Sequence, residues 1–262
     1  MMTDTLKKKV AIITGASSGM GRATALKLAK AGAKVGLVDI KEEDAKAVLK
    51  EVEKNKGEAI IAEADVKDPE QIQVAIQTIV DHFGRLDIVF ANAGINGKVA
   101  PIEDITPAEW DQTLETNLKG TFLTVKYALP HMKKNGGSII ITSSINGNRK
   151  FSAVGMSAYS SSKAGQMAFG KMAALELSEY GIRVNIICPG AIDTNIGKNT
   201  FAEDENLEKV RIPVEYPEGN QPLEGHAGKP EQVAELVYFL ASDASSHISG
   251  TEVFIDGAST LL

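Results

Sequence analysis

Tyr159 and Lys163 stand four positions apart in the run Tyr159-Ser160-Ser161-Ser162-Lys163. On a helix, positions i and i+4 share a face, so this spacing places an ammonium beside a phenol. A neighbouring positive charge favours phenolate and lowers a pKa that is about 10 in an unperturbed tyrosine. A tyrosine tuned in this way can exchange a proton with an alcohol near neutral pH. The same spacing also fits a plain surface pair on an amphipathic helix, so the residues around it matter. Ser143-Ser144 closes an apolar run, where a hydroxyl would reach a strand-end crevice; serine is equally suited to a turn. Asn117 falls inside a helical pattern that disfavours asparagine. It reads either as a functional residue that breaks the helix or holds a water, or as a buried amide satisfied by nearby backbone.

A second set of residues suits a phosphate-bearing ligand. Thr14-Gly15-Ala16-Ser17-Ser18-Gly19-Met20-Gly21 follows an apolar run and precedes a helical pattern. Gly15 permits a tight turn, and Gly19 and Gly21 remove side chains where backbone must approach a ligand or a neighbour. The helix that follows presents unpaired N–H groups and a positive dipole end, which suit a pyrophosphate. Asp39 lies 24 positions after Gly15, where an acid accepting from ribose hydroxyls is expected in a dinucleotide site. Its charge would repel a 2′-phosphate and so favours NAD(H) over NADP(H). Lys41 and Lys7-Lys8-Lys9 leave a phosphate partner conceivable, and a strand-end Asp can also serve as a cap. Asp65-Val66, Asn92-Ala93-Gly94 and Pro189-Gly190-Ala191-Ile192-Asp193-Thr194 follow later apolar runs. Each is a plain turn or, at the carboxyl end of a parallel strand, a ligand contact; Thr194 suits a carboxamide.

These residues need a scaffold that gathers strand ends. Short apolar runs at Val10–Ile13, Val35–Val38, Ala59–Ala62, Leu86–Ala91, Ser138–Thr142, Val184–Cys188 and Glu252–Ile255 alternate with helical patterns. Continuous apolar strands between helices indicate βαβ units with both sheet faces covered. The expectation is an α/β chain: one doubly wound, Rossmann-type domain over residues 1–262, with a seven-stranded parallel sheet and helices on both faces. Thr106 and Pro107 mark a helix start, and that helix should run to about Lys134, bent or ended by Pro130. A long helix is expected over Ala158–Tyr180. Residues 195–228 show little pattern, with Pro213, Pro217 and Pro222 and many acids; a loop that long is functional or mobile.

Composition bounds the rest. The 262 residues carry a net charge of -6, which argues against a general nucleic-acid binder. Cys188 is the only cysteine, so intrachain disulfides and cysteine metal clusters are excluded; it is expected in the core. The four histidines show no ligand spacing, so no metal site is expected. No apolar h-region opens the chain and no apolar run reaches about 18 residues; the expectation is a cytoplasmic protein without a membrane span.

The ordered set resembles the short-chain dehydrogenase/reductase family across nearly the whole chain. It comprises the Thr14-to-Gly21 turn, Asn92-Ala93-Gly94, Asn117, the serine pair, Tyr159 with Lys163, and Pro189-Gly190. The resemblance implies hydride transfer between C4 of a nicotinamide and a secondary alcohol or carbonyl carbon of a small molecule. It also implies the roles: Tyr159 as acid/base, Lys163 lowering its pKa and binding the nicotinamide ribose, Ser144 orienting the substrate oxygen, Asn117 holding a water that links Lys163 to solvent. The family usually has its serine 13 residues before the tyrosine; here that position is Asn146, and Ser144 lies 15 before. We read a two-residue insertion within Gly147–Met156, with Ser144 the candidate and Ser143 the alternative.

The resemblance extends to 3-oxoacyl-carrier-protein reductases and to sugar or polyol dehydrogenases. Asp39 and the acids Glu203, Asp204, Glu205 and Glu208 disfavour an NADPH-dependent enzyme with an acidic carrier, which stands as the alternative. A non-catalytic NAD-binding sensor is a further one, against which Tyr159 and Lys163 both remain; lyase, dehydratase or epimerase chemistry is a third. Ile212, Val214 and Tyr216 could form an apolar lid. The family implies a homotetramer, to which the small-residue face of the helix from Ala158 and the tail Ala258–Leu262 could contribute.

Overall fold

Alternate residues of each strand serve opposite faces, and that division sorts the core into two layers. In the computed structural model, which describes residues 6–151, 154–202, 204–210, 212 and 219–262, the chain opens with β1 (Val10–Thr14), α1 (Gly19–Lys30), β2 (Lys34–Asp39), α2 (Glu42–Lys54), β3 (Glu58–Glu63), α3 (Pro69–Phe83) and β4 (Ile88–Ala91). The short β5 (Gly97–Val99), α4 (Pro107–Leu114) and α5 (Gly120–Met132) follow, then β6 (Gly137–Thr142), α6 (Ser157–Leu177) and β7 (Ile182–Pro189). The chain closes with β8 (Thr200–Ala202), α7 (Asp204–Val210), α8 (Pro230–Ala241) and β9 (Glu252–Ile255).

Seven strands form one parallel sheet in the order β3-β2-β1-β4-β6-β7-β9. Val10 and Ile12 of β1 pack into the layer of α3, α5 and α6; Ala11 and Ile13 pack into the layer of α1, α2 and α8. In α3 the fully buried Ile72, Ile76 and Ile79 fall on one face, each contributing roughly 1.5–3 kcal/mol by burial. Asp68 caps that helix by accepting from the backbone N–H groups of Glu70 and Gln71, and Gly84, at φ 80°, ends it. The strand order reverses between β1 and β4. The carboxyl ends there leave a crevice, which is where open parallel sheets bind ligands.

One of the sequence expectations for these segments needs correction. The helix from Pro107 runs past Pro130 and close to Lys134, as expected. It begins with the expected Thr106 cap, widens into a π-helical turn over Glu115–Lys119 and continues to Met132. Pro130 lies inside that helix, where it gives up one main-chain hydrogen bond to the preceding turn. Residues 195–228 are not structureless: they include β8 and α7, and β8 pairs in parallel with β5 through Gly97↔Thr200. That pairing joins segments about a hundred positions apart, beyond any local pattern. Two glycines of the small-residue face of α6 turn inward. A Cβ on Gly170 would come within 2.7 Å of Ile186, and one on Gly165 within 2.8 Å of Leu118, so these glycines let α6 lie close on its own sheet and on the π-helical turn. Glu203, Pro213, Val214, Tyr216 and Pro217 lie outside the described residues; of the expected lid only Ile212 is described, and it is exposed. Among those residues no helix is long and apolar enough to cross a membrane.

Candidate active site

The glycine turn joins β1 to α1 with Gly15 at φ 66° and Gly19 at φ 50°. Gly21 admits no side chain, since a Cβ there would sit 2.0 Å from the Gly15 carbonyl oxygen. Asp39 holds this turn from the end of β2: one carboxylate oxygen accepts from Ser17 N–H at 2.8 Å and the other from Ile40 N–H at 2.9 Å. Ser18, at the N-cap of α1, makes no side-chain cap, which leaves first-turn N–H groups available to an anion.

Thr14, which the sequence reading did not single out beyond the motif, links the next pieces. Its hydroxyl accepts from Asn92 N–H at 3.0 Å and Ala93 N–H at 3.1 Å, and its carbonyl accepts from Asn92 Nδ2 at 3.1 Å. The Thr142 hydroxyl donates to Asn92 Oδ1 at 3.3 Å. Asn92 thus ties the carboxyl ends of β1, β4 and β6 together.

A cleft of about 500 Å³ opens beside these ends. It brings together Met20, Asn92, Gly94, Ser144, Tyr159, Lys163, Pro189, Gly190, Ile192 and Thr194 of the expected site. Gly15, Ser17, Ser18, Gly19, Gly21, Asp39, Asp65, Val66 and Ala93 do not line it; they lie at or just beyond strand ends along the same sheet edge. Gly19 lies beside the cleft, since a Cβ on it would lie 3.1 Å from Thr194 Cγ2. Asp65 accepts from Lys67 N–H, and Val66 packs against Gly120.

Within the cleft, Tyr159 and Lys163 occupy the first two turns of α6 and are both buried. The Ser144 hydroxyl faces the phenol of Tyr159 and accepts from Asn146 N–H at 3.2 Å. Ser143 points away: its hydroxyl donates to the Lys163 carbonyl at 2.8 Å. The ammonium of Lys163 donates to the Thr142 carbonyl at 3.0 Å and stands 5.5 Å from the centre of the Tyr159 ring.

This geometry corrects one expectation. Lys163 is not the dominant influence on the phenol. Burial pushes the Tyr159 pKa up, and the facing Ser144 hydroxyl draws it only part of the way back. Burial also brings Lys163 down to about 8. Desolvation acts on both groups because α6 lies directly over β6 and β7.

Asn117 is fully buried at the centre of the π-helical turn. Its Oδ1 accepts from Ile95 N–H at 2.9 Å, and its Nδ2 donates to the Ile95 carbonyl and to Ser162 Oγ. Its own carbonyl, displaced by the widened turn, accepts from Thr121 Oγ1 and from Gln166 Nε2. The amide therefore clamps the chain after β4 onto α6. A Cβ on Gly94 would lie 3.0 Å from Asn117 Oδ1 and 3.6 Å from Lys163 Nζ, so the two side chains flank one glycine.

The cleft also contains residues that sequence reasoning missed as site residues: Lys150, Gln221, Ser259 and Asn146. Asn146 carried a signal, its place 13 before Tyr159. The others come from segments with no motif. Ser259 belongs to the tail. Asp256 accepts from the N–H groups of Ala258 and Thr260 and folds Ser259 into the chain's own cleft, leaving Leu261 and Leu262 exposed. Cys188 is buried in β7, and burial lifts its thiol pKa to about 12. Among the described residues no cluster of three His, Cys, Asp or Glu side chains is placed to hold a metal ion.

The bare glycine turn, the open end of α1 and a carboxylate at the end of β2 fit a dinucleotide, and the buried tyrosine beside them fits proton transfer. The comparisons agree. The family described as enoyl-(acyl carrier protein) reductase matches residues 15–260. Cyclohexanol dehydrogenase of Acinetobacter sp. (strain SE19) is 36% identical over 99% of this chain and 98% of that one. A solved 3-ketoacyl-ACP reductase from Sinorhizobium meliloti 1021 is 46% identical, with a TM-score of 0.90 over 96% of this chain and 99% of the other. A short-chain dehydrogenase from Mycobacterium paratuberculosis, solved bound to NAD, is 30% identical with a TM-score of 0.88 over 98% of this chain and 100% of that one.

The chain belongs to the short-chain dehydrogenase/reductase family. It is an oxidoreductase that transfers hydride between a nicotinamide cofactor and the alcohol or carbonyl carbon of a small molecule.

Proposed function

We propose that Tyr159 is the general acid/base of this reaction, that Ser144 orients the substrate oxygen, and that the cofactor is NAD(H). The observation that carries the reading is the cleft that gathers Ser144, Tyr159 and Lys163, with Tyr159 and Lys163 both buried one turn apart on α6. When bound, the nicotinamide ring supplies or accepts the hydride at C4. Gly15, Ser17, Ser18, Gly19, Met20 and Gly21 would hold its pyrophosphate half, Asp39 and Asp65-Val66 its adenosine, and Pro189-to-Thr194 its carboxamide end.

The chain's own residues handle the proton. As a carbonyl is reduced, negative charge grows on its oxygen. The Tyr159 O–H gives that oxygen a proton while Ser144 donates a hydrogen bond to it. In the oxidative direction Tyr159 takes the alcohol proton. The phenolate is then stabilised by the Lys163 ammonium, whose pKa of about 8 keeps it charged at neutral pH. Asn117 serves as a positioning residue that fixes the chain around Gly94 next to Lys163, and it holds the water through which Lys163 exchanges protons with solvent.

NAD(H) is favoured by the Asp39 carboxylate, which would face a 2′-phosphate with like charge. The NAD-bound relative supports this cofactor. The second reading is an NADPH-dependent 3-oxoacyl-carrier-protein reductase, favoured by the 46% identity to the Sinorhizobium meliloti structure. Tyr159→Phe is expected to remove nearly all turnover while NADH binding, followed by fluorescence, stays close to wild type. Retained turnover would overturn the acid/base assignment, and tighter binding of NADPH than NADH would move the conclusion to the second reading.

A further inference from the structure

Two cavities share a side-chain wall. Beside the cleft that holds Tyr159 lies a second cavity of about 650 Å³, framed by the segment after β5, the chain before α6, the first turn of α6 and the end of α7. Its lining is mainly apolar, with Ala100, Pro101, Ile102, Phe151, Val154 and Val210. Among the described residues that line it, Glu103 and Lys150 carry charge. Phe151 and Ile102 are well exposed, and apolar surface of this kind gains free energy when a ligand removes it from water.

Among the described residues, Asn146, Lys150 and Met156 line both cavities. Asn146 Nδ2 stands 3.8 Å from Met156 Sδ, and Lys150 Nζ donates to the Ser259 carbonyl at 3.1 Å. The partition is therefore built from side chains. Met156 is its most adaptable member, because an unbranched thioether changes rotamer at small cost. The partition also starts beside the chemistry, since Asn146 N–H donates to Ser144 Oγ.

We propose that Met156 and Asn146 form the gate to a second substrate subsite. The second cavity takes the apolar arm of a secondary alcohol or ketone whose reacting carbon lies at Tyr159. The proposal rests on the hydride-transfer reading of the Tyr159 cleft. It makes the enzyme selective for substrates with a hydrocarbon chain or ring next to the carbinol, over small polyols.

The test uses the full-length protein and two pairs of probes. Calorimetry compares nonan-2-one with pentan-2-one, and NADH absorbance compares nonan-2-ol with pentan-2-ol. Burial of the four extra methylenes should favour the longer ketone on the order of tenfold or more. Val154→Trp, which fills the cavity, should bring the nonanone-to-pentanone ratio close to one. Ile102→Trp fills it from the opposite rim and guards against a folding defect in the first variant. Met156→Ala should raise kcat/KM severalfold for a bulky cyclohexanol relative to cyclohexanol, and Met156→Leu should keep the wild-type ratio. Equal binding of both ketones to wild type, or an undiminished preference in both folded tryptophan variants, overturns the proposal. Length-dependent ketone binding that both tryptophan variants abolish, with no alcohol turned over by wild type, leaves the second cavity standing as an apolar binding site. That pattern counts instead against the hydride-transfer reading of Tyr159.

Discussion

Ser143 and Lys163 are joined through backbone: the serine hydroxyl donates to the lysine carbonyl at 2.8 Å, which turns Ser143 into the core between β6 and α6. Its neighbour Ser144 faces the Tyr159 phenol. One serine therefore holds the helix that carries the acid/base, and the other touches the acid/base itself. Ser144→Ala should lower kcat by on the order of a hundredfold, as for the loss of one donor to a developing oxyanion, with thermal stability close to wild type. Ser143→Ala should lower the melting temperature by removing a buried hydrogen bond, about 1 kcal/mol, and reduce kcat less. A larger kcat loss at Ser143 would transfer the catalytic role to it.

Asp39 is linked to cofactor choice and to turn geometry at once, because the oxygen that accepts from Ser17 N–H fixes the glycine turn. Asp39→Ala should weaken NADH binding and narrow the NADH-to-NADPH preference by roughly tenfold, the equivalent of about 1.4 kcal/mol. Fluorescence titration with both cofactors measures it. An unchanged preference would remove Asp39 from cofactor recognition and leave it the anchoring role alone.

The buried Lys163 makes a pH-dependent contribution. Its folded pKa of about 8 lies below its ordinary 10.5, so above pH 8 the unfolded chain binds the extra proton and stability rises with pH. Cys188 acts in the opposite sense above its ordinary 9.0, and Tyr159 does so above 10.0, since burial raises both. The window in which Lys163 acts alone among these three is pH 8 to 9. Across it, wild type should gain up to about 1.4 kcal/mol relative to Lys163→Met, read from denaturant unfolding at fixed pH values. Parallel curves for the two proteins would show that the lysine is not desolvated.

Assembly can be tested on the outer layer. Phe122, Met172 and Leu175 are exposed on α5 and α6, and β9 is an edge strand of the sheet. Surfaces of this kind suit self-complementary interfaces. Light scattering should give about four times the 27.9 kDa of one chain, and the double substitution Met172→Glu with Leu175→Glu should lower that mass. A monomer in wild type contradicts the homotetramer.

The scaffold was legible because its signals are local. A continuous apolar run such as Ile139-Ile140-Ile141 needs cover on both faces, and a glycine turn between a strand and a helix can be read from its neighbours in sequence. Thr106 and Pro107 announced a helix start that forms as expected. The pairing of β5 with β8 was not legible, because each strand is three residues long and has meaning only beside the other. The role of Ser259 was hidden for the same reason: it depends on Asp256 folding the tail back.

The sequence by itself determined the order of strands and helices, the phosphate-type turn and the helical pairing of Tyr159 with Lys163, all consequences of residue types at short spacing. Only the tertiary structure decided which serine meets the phenol, that Asn117 sits in a widened turn clamping Ile95 and Ser162, and that burial sets the pKa values of Tyr159 and Lys163. Those outcomes depend on which surfaces close over a side chain. Desolvation and hydrogen-bond partners arise from segments distant in the chain, and no local pattern records them.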